Sequence, residues 1–193
     1  GIRDPLWSRG LGDVYKRQLL VAALYKEIHT ISCPKLLITG IGKTNAALKL
    51  SKYLGENPEV EKVINFGTAC GINYKIGDVI ECTEFINGGF SYPGIDNNPD
   101  DKIIQTSDYG PSVASFDSFV TEFPEEAWDR AIDCVDMEAY AYAKVCKEFD
   151  VEFLCHKYIT DSCEEDEQES NWEERVSDGS NLFEIVWENV RKS

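Results

Sequence analysis

Positive charge is scarce in this sequence of 193 residues. Only 19 residues are Lys or Arg, against 35 that are Asp or Glu, and the formal net charge at pH 7 is -16. A surface with this charge repels the phosphate backbone of nucleic acids, so nucleic acid is not an expected partner. A small neutral ligand is not excluded by the same field.

Histidine and long apolar segments are also scarce. The two histidines, His29 and His156, do not lie at the spacing of metal ligands, so no metal site is expected. No apolar run approaches the roughly 20 residues that are needed to span a bilayer, so no membrane partner is expected either.

Cysteine is present but shows no pairing pattern. The seven cysteines are an odd number and include no Cys-x-x-Cys pair. They lie in apolar stretches such as Phe153-Leu154-Cys155. This distribution predicts reduced core residues of a cytoplasmic protein, not a framework of disulfides.

The N-terminal residues differ in character from the rest of the chain. Residues 13–18 resemble a translated adapter from a sequencing library, and Met137 is the only methionine. Residues 1–18 are therefore predicted to be a non-native arm on a chain whose native start is missing, with an ordinary polar arm as the alternative. Residues 19–193 are predicted to be a single domain, since this length can bury a substantial core.

Short apolar segments alternate with amphipathic ones along this domain. Strands are predicted at residues 19–23, 35–39, 63–66, 79–85, 110–115 and 153–159, and helices at residues 43–54, 139–149 and 172–190, the last interrupted near 177–179. The glycine-rich residues 67–71 are predicted to turn off the end of a strand, and residues 88–101 to form a mobile loop. The alternation predicts an α/β domain of three layers, α/β/α, with a central mixed sheet.

Two acidic residues bracket one predicted helix–strand unit. Glu138 stands at the start of the helix, and Asp161 stands just past the end of the strand. Ligands of open α/β sheets bind at this carboxyl edge. On spacing alone, however, the better interpretation is that each acid favours or caps the end of a helical element.

Five short motifs follow one another along the chain: Thr39-Gly40-Ile41-Gly42-Lys43, Asn65-Phe66-Gly67-Thr68-Ala69-Cys70-Gly71, Ser115-Phe116-Asp117-Ser118-Phe119-Val120, Val135-Asp136-Met137-Glu138-Ala139 and Ile159-Thr160-Asp161. In type and order they resemble the motifs of the purine nucleoside phosphorylase and nucleosidase superfamily. They are most similar to those of the methylthioadenosine/S-adenosylhomocysteine nucleosidases. The resemblance covers most of the chain from Leu19 onward.

The resemblance implies a hydrolase that cleaves the N-glycosidic bond of a purine nucleoside, with methylthioadenosine or S-adenosylhomocysteine as the expected substrate. It implies no cofactor, a homodimer and a role in methionine salvage. Such cleavage needs a protonated leaving base, a stabilised ribose cation and an attacking water. The resemblance assigns these tasks to Asp161 as general acid, Glu138 at the ribose and Glu27 as base. From the residues alone, Glu27 is equally consistent with a solvated glutamate in the first turn of a helix.

Four residues match substrate-binding positions of the resembling family. Phe119 is expected to stack on the base, the backbone of Val120 to read the purine edge, and Met137 to pack on the sugar. Thr68 is expected to bond either the ligand or the backbone of its own turn. A phenylalanine in an apolar run is more often a simple core residue, and this interpretation of Phe119 stays open.

Two other functions also stay open. A phosphorylase would use phosphate as the nucleophile and hold it with arginines. No arginine lies in a glycine-rich turn or between Met137 and Asp161, so hydrolysis is favoured over phosphorolysis. A non-catalytic nucleoside-binding domain is the third hypothesis. It rests on Cys70 and Phe116, where the resembling proteins usually have glycine, and on the rule that fold does not fix function.

Overall fold

A nine-stranded mixed sheet forms the centre of the computed structural model. The structure describes residues 17–89, 102–120, 131–163 and 168–190, and for residues 168–171 it describes the backbone only. The strands are β1 (Gln18–Ala22), β2 (Leu36–Ile38), β3 (Lys62–Gly71), β4 (Val79–Cys82), β5 (Glu84–Asn87), β6 (Ile103–Gln105), β7 (Ser112–Ser115), β8 (Cys134–Asp136) and β9 (Glu152–Ser162). The predicted loop at residues 88–101 lies almost wholly outside the described residues.

The sheet divides at β3. Its strand order is β2-β1-β3-β8-β7-β5-β6, and β9 pairs with both β3 and β4. β3 runs parallel to β9 along its whole length on one side, and on the other side its first four residues, Lys62 to Asn65, run parallel to β1. Its last two residues, Cys70 and Gly71, pair antiparallel with β8 as well. The division brings the ends of β3, β8 and β9 together at one place.

Helices cover both faces of the sheet. They are α1 (Lys43–Glu56), α2 (Ala139–Phe149), α3 (Gln168–Arg175) and α4 (Gly179–Val190). The side chains of β1 alternate between the faces, as the strand period of two requires. Leu19 and Val21 pack in the cluster that contains α1 and α2, whereas Leu20 packs with Phe183 and Trp187 of α4. The predicted three-layer α/β/α architecture is therefore confirmed.

Helix positions were the most predictable part of the fold. α2 has the predicted bounds, and it ends because Asp150 adopts a left-handed conformation with φ 55°. The predicted interruption near 177–179 separates α3 from α4. A Cβ atom on Gly179 would lie 2.6 Å from the ring of Tyr158, so glycine allows α4 to begin close against β9.

β3 is longer than predicted. It continues through Gly71 instead of turning after Phe66, because its residues stay paired with β9 across a bulge between Ala69 and Cys70. A Cβ atom on Gly71 would lie 2.5 Å from the carbonyl oxygen of Tyr74. The glycine therefore serves a close approach of backbone, and the predicted turn is wrong.

Other strands also differ from the prediction. β9 extends to Ser162, so Asp161 lies inside the strand and not just past it. The single strand predicted at 79–85 is two strands, β4 and β5, which separate at Thr83 because β4 pairs with β9 and β5 with β6 and β7. β6 and β8 were not predicted, since neither is an apolar run like Leu36–Ile38 of β2.

Two of the seven cysteines contradict the prediction that all are reduced. Cys70 and Cys163 form a disulfide with their Cα atoms 5.8 Å apart. They are separated by 93 positions in the sequence, so no local pattern reveals the pair. The other five cysteines carry free thiols, and four of these are buried.

The N-terminal boundary lies slightly earlier than predicted. β1 begins at Gln18, which is buried, and the carbonyl oxygen of Arg17 accepts hydrogen bonds from the N–H groups of Glu61 and Lys62. Residues 1–16 lie outside the described part of the chain, so a non-native origin for the arm stays a prediction. Among the described residues, no helix has the length and apolar character to cross a membrane.

Candidate active site

A cavity opens where the ends of β3, β8 and β9 converge. Six of the seven predicted site residues line it: Thr68, Phe119, Val120, Met137, Glu138 and Asp161. They come from β3, from the segment after β7, from the start of α2 and from β9. The seventh, Glu27, lies behind Thr68 and bonds to it. The fold therefore brings the predicted residues together, although their chemical roles stay predictions.

Glu27 is held in place from three directions. It ends a 3-10 turn of residues Tyr25–Glu27 and is only 4% exposed. Its Oε1 accepts from the backbone N–H of Thr68 at 2.9 Å and from the Thr68 hydroxyl at 3.1 Å. Its Oε2 accepts from the N–H of Leu24 at 2.9 Å. The alternative of a solvated glutamate is wrong.

Burial also changes the acidity of Glu27. Loss of solvent raises its pKa above that of an ordinary glutamate, and the hydrogen bonds and the charge of Lys157 offset part of that increase. A carboxylate whose pKa moves towards neutrality is suited to accept a proton at physiological pH.

A buried ion pair lies beside the cavity. Lys157 Nζ lies 2.8 Å from Asp136 Oδ2, and both side chains are 1% exposed. Burial by itself lowers the pKa of Lys157, but the charges of Asp136 and other neighbours outweigh it, and the pKa lies well above its usual value. A Cβ atom on Gly67 would lie 2.8 Å from Lys157 Nζ and 3.5 Å from Glu27 Oε1. Glycine at this position therefore lets the ammonium and Glu27 share one region.

Asp136 also organises the start of α2. Its Oδ2 accepts from the N–H of Ala139 at 2.9 Å, and its Oδ1 accepts from the hydroxyl of Ser115 at 2.5 Å. The Ser115 oxygen accepts in turn from the N–H of Tyr140 at 2.9 Å. These contacts satisfy two donors that a helix start leaves without intrahelical partners. The capping role that spacing suggested for Glu138 therefore belongs to Asp136 and Ser115.

Glu138 reaches the glycine-rich turn before α1. Its Oε1 accepts from the N–H of Gly42 at 2.7 Å, and Gly42 has φ 95°, a conformation that favours glycine. Burial, followed by the nearby charge of Asp136, raises the pKa of Glu138 to about 8. The turn thus supplies a backbone donor, as its glycines suggested, but to a cavity carboxyl.

Asp161 lies at the inner wall of the cavity. It is 1% exposed, and its Oδ1 accepts from the hydroxyl of Thr160 at 2.5 Å. Asp161 is the register partner of Cys70, beyond the bulge in β3. Asp161 thus lies within β9, while its role as acid or as cap stays a prediction.

Two aromatic rings form another wall. Phe119 is 36% exposed, so it is not a simple core residue. Its ring meets the edge of Trp172 with centroids 6.4 Å apart and planes at 70°. The Trp172 indole N–H donates to the Thr68 hydroxyl oxygen at 3.0 Å. Thr68 therefore bonds neighbouring side chains, and not only the backbone of a turn.

Sequence reasoning missed Asp136, Lys157 and Trp172. Lys157 did carry a signal, because a lysine within an apolar strand needs a buried counter-charge. Trp172 carried none, since its contact with Thr68 depends on how α3 packs. Among the described residues, no group of three or more His, Cys, Asp or Glu side chains could hold a metal ion.

Known proteins are similar to this chain in sequence and in fold. A family model described as the phosphorylase superfamily matches residues 109–188. The 5′-methylthioadenosine/S-adenosylhomocysteine nucleosidase of Thermotoga maritima is 34% identical over 144 residues, which are 67% of this chain and 66% of that protein. The nucleosidase of the same name from Bacillus cereus is 30% identical over 155 residues, which are 65% of this chain and 67% of that protein. The chain belongs to this nucleosidase family.

The nucleosidase fold extends over nearly all of the chain. A mutant of the Helicobacter pylori methylthioadenosine/S-adenosylhomocysteine nucleosidase (MTAN), solved with 5′-methylthioadenosine in its active site, matches with a TM-score of 0.76 and 17% identity. The match covers 90% of this chain and 96% of that one. At this identity the likeness shows the fold alone. The chain spans about two thirds of the length of the curated nucleosidases it matches.

Proposed function

We propose that this protein hydrolyses the N-glycosidic bond of a purine nucleoside, with methylthioadenosine or S-adenosylhomocysteine as substrate. The observation that carries the proposal is the cavity that joins Phe119, Glu138 and Asp161, with Glu27 bonded behind Thr68. The substrate class is taken from the names of the related nucleosidases. Phe119 offers an apolar face to the base, and Met137 lies next to Glu138 for contact with the sugar.

Asp161 acts as the general acid in this mechanism. The purine anion is a poor leaving group, so a nitrogen of its five-membered ring must gain a proton as the bond to ribose breaks. Asp161 lies in the cavity wall at the end of β9 and donates this proton. The backbone of Val120 lies in the same cavity and reads the purine edge.

Glu138 acts at the ribose. Its carboxylate accepts hydrogen bonds from the ribose hydroxyls and stabilises the positive charge that develops on the sugar. The N–H of Gly42 fixes one of its oxygens. Burial raises the pKa of Glu138 to about 8, and positive charge on the sugar favours the ionised form as the reaction proceeds.

Glu27 activates the attacking water. The water oxygen forms the new bond to the ribose carbon on the face opposite the base, and its proton passes to Glu27. Three hydrogen bonds fix the Glu27 carboxylate, so its position is set before substrate binds. The ammonium of Lys157 lies on the same side and moderates the negative charge there.

The charges at the cavity favour water over phosphate as the nucleophile. The charge of Lys157 acts on Glu27, but Asp136 already neutralises this lysine. Arg175 donates to the backbone oxygen of Thr160 at 2.9 Å. Within the described part of the chain, a phosphate would therefore meet the carboxyl groups of Glu27 and Glu138 without the arginines that suit its oxygens.

Base release with and without phosphate tests the function. Purified protein is incubated with methylthioadenosine, S-adenosylhomocysteine, adenosine and inosine, and free base is measured. We expect release of adenine from the thio-substituted nucleosides without phosphate. Release only with phosphate would make the protein a phosphorylase. Binding without release from any substrate would support the non-catalytic alternative.

We further propose a cytoplasmic homodimer that acts in methionine salvage. Two exposed apolar side chains support an interface near α1: Ile41, in the turn before the helix, is 45% exposed, and Leu48, within the helix, is 68% exposed. The five cysteines with free thiols support a reducing compartment, whereas the Cys70–Cys163 disulfide is of the kind that oxidising compartments favour. Light scattering at increasing concentration tests the assembly. A mass that stays monomeric would contradict it.

A further inference from the structure

We propose that Trp172 is a positioning residue for the Glu27 base and that it acts through the hydroxyl of Thr68. The inference rests on the proposed function, because Glu27 must be the base for the effect to appear in catalysis. It extends that function to α3, which sequence reasoning left without a role. Three side chains form the path: Trp172, Thr68 and Glu27.

The donors and acceptors along this path have only one arrangement. An indole N–H can only donate, so the Thr68 oxygen accepts from Trp172 at 3.0 Å. A glutamate carboxylate can only accept, so the single Thr68 hydroxyl proton lies on the 3.1 Å contact to Glu27 Oε1. Trp172 therefore fixes the rotation of the Thr68 hydroxyl and directs its proton at the carboxylate.

The contact with Trp172 therefore strengthens the hydrogen bond from Thr68 to the ionised carboxylate of Glu27. A hydroxyl that accepts one hydrogen bond becomes a better donor in the next, so the contact with Trp172 strengthens the contact with Glu27. Hydrogen bonds to a carboxylate favour its charged form, the form that can accept a proton from water. Removal of the indole N–H should weaken this bond and raise the pH at which the base becomes active.

α3 is well placed to transmit this effect. One turn after Trp172, Arg175 donates to the backbone oxygen of Thr160 at 2.9 Å, next to Asp161. The ring of Trp172 also meets Phe119 at the cavity wall. Arg175 thus holds α3 next to Asp161, the proposed general acid. Trp172 connects α3, through Thr68, to Glu27, the proposed general base.

Substitution of Trp172 leaves the other groups around Glu27 in place. Among the described residues, the titratable groups that interact with Glu27 are Lys157 on β9, Glu138 before α2 and Tyr142 on α2. None of them is a hydrogen-bond partner of the Trp172 indole N–H. A shift in the pH profile of a Trp172 variant is therefore assigned to the path through Thr68.

The experiment measures the pH profile of kcat/KM for Trp172→Phe. This variant keeps an aromatic wall and removes the N–H. We expect the acidic limb to move up by about half to one pH unit, which is a loss of roughly threefold to tenfold below the limb. Above the limb, where the base is ionised in both proteins, the loss should be smaller than below it. An unchanged limb would overturn the proposal.

A double-mutant cycle separates positioning from general damage. Thr68→Val removes the hydroxyl and should shift the limb in the same direction, and Trp172→Phe should add less than about twofold in the Thr68→Val background. Thr68→Ser retains the hydroxyl and should keep the sensitivity to Trp172→Phe. Losses that multiply in the double variant would show that Trp172 acts independently of Thr68, and would overturn the inference.

Trp187→Phe is the matched control. Trp187 is buried in α4, in a cluster with Phe66 and Phe183, and its indole nitrogen has no hydrogen-bond partner within the described part of the chain. The same substitution there should leave the pH profile unchanged, and an equal shift would overturn the inference. Wild-type protein that releases no base refutes the proposed function. Active wild-type protein with multiplying losses refutes only the role of Trp172.

Discussion

Loss of the Lys157 charge should destabilise the protein more than loss of a lysine on its surface. Lys157→Met keeps a long apolar side chain but leaves Asp136 buried without its counter-ion. Both partners are 1% exposed and 2.8 Å apart. Breaking a buried pair from one side costs about 3–5 kcal/mol of unfolding free energy. At about 2–4 °C per kcal/mol for a chain of this size, the melting temperature should fall by roughly 6–20 °C.

Thermal melts at pH 7 provide the assay, with Lys52→Met as the control. Lys52 pairs with Glu56 at 4.0 Å on the surface of α1, and its side chain is 75% exposed. Such a pair contributes about 0–1 kcal/mol, so Lys52→Met should change the melting temperature by only a few degrees. Asp136→Asn in the Lys157→Met background should recover part of the loss, because no buried charge is then left. A Lys157→Met variant that melts with the wild type would refute this account of the ion pair.

Two further predictions concern the disulfide and pH. Cys163→Ser in non-reducing buffer should lower the melting temperature by roughly 5–15 °C, because loss of the disulfide removes about 2–4 kcal/mol of unfolding free energy. Cys33→Ser, which removes a free thiol, should have little effect. Equal melting temperatures, with free thiols found by mass spectrometry, would count against the disulfide. The pKa of Glu138 rises from 4.5 in the unfolded chain to about 8, so the folded state binds more protons between these values and loses stability as pH rises through them. Glu138→Gln should therefore stabilise the protein more at pH 8 than at pH 5, by up to a few kcal/mol, and an equal change in melting temperature at both would contradict the shift.

The fold was predictable where a residue pattern extends over several turns or strands. The period of α2 and the break between α3 and α4 are properties of local sequence, and both were found. β8 was missed because its three residues, Cys134–Asp136, end on an acid and form no apolar run of the kind that marked β2. The path of β3 beyond Phe66 was missed because glycines in a strand look like a turn until the neighbouring backbone is seen.

The candidate site was predictable through its motifs more than through its physics. The resemblance selected Thr68, Phe119 and Asp161, which line one cavity. Spacing alone favoured helix caps, and for Glu138 that was wrong because Asp136 has the capping role. The contact between Cys70 and Cys163 joins distant parts of the chain, so composition could only suggest reduced thiols.

Turnover by Asp161→Asn tests the central claim most directly. The amide keeps the size of the side chain but cannot donate an acidic proton to the leaving base. We predict that folding and nucleoside binding survive while kcat for methylthioadenosine falls by roughly a hundredfold or more, the usual contribution of a general acid. A p-nitrophenyl riboside, whose leaving group needs no proton, should be cleaved by the variant with little loss relative to wild type. Full turnover of methylthioadenosine by well-folded Asp161→Asn would contradict the mechanism.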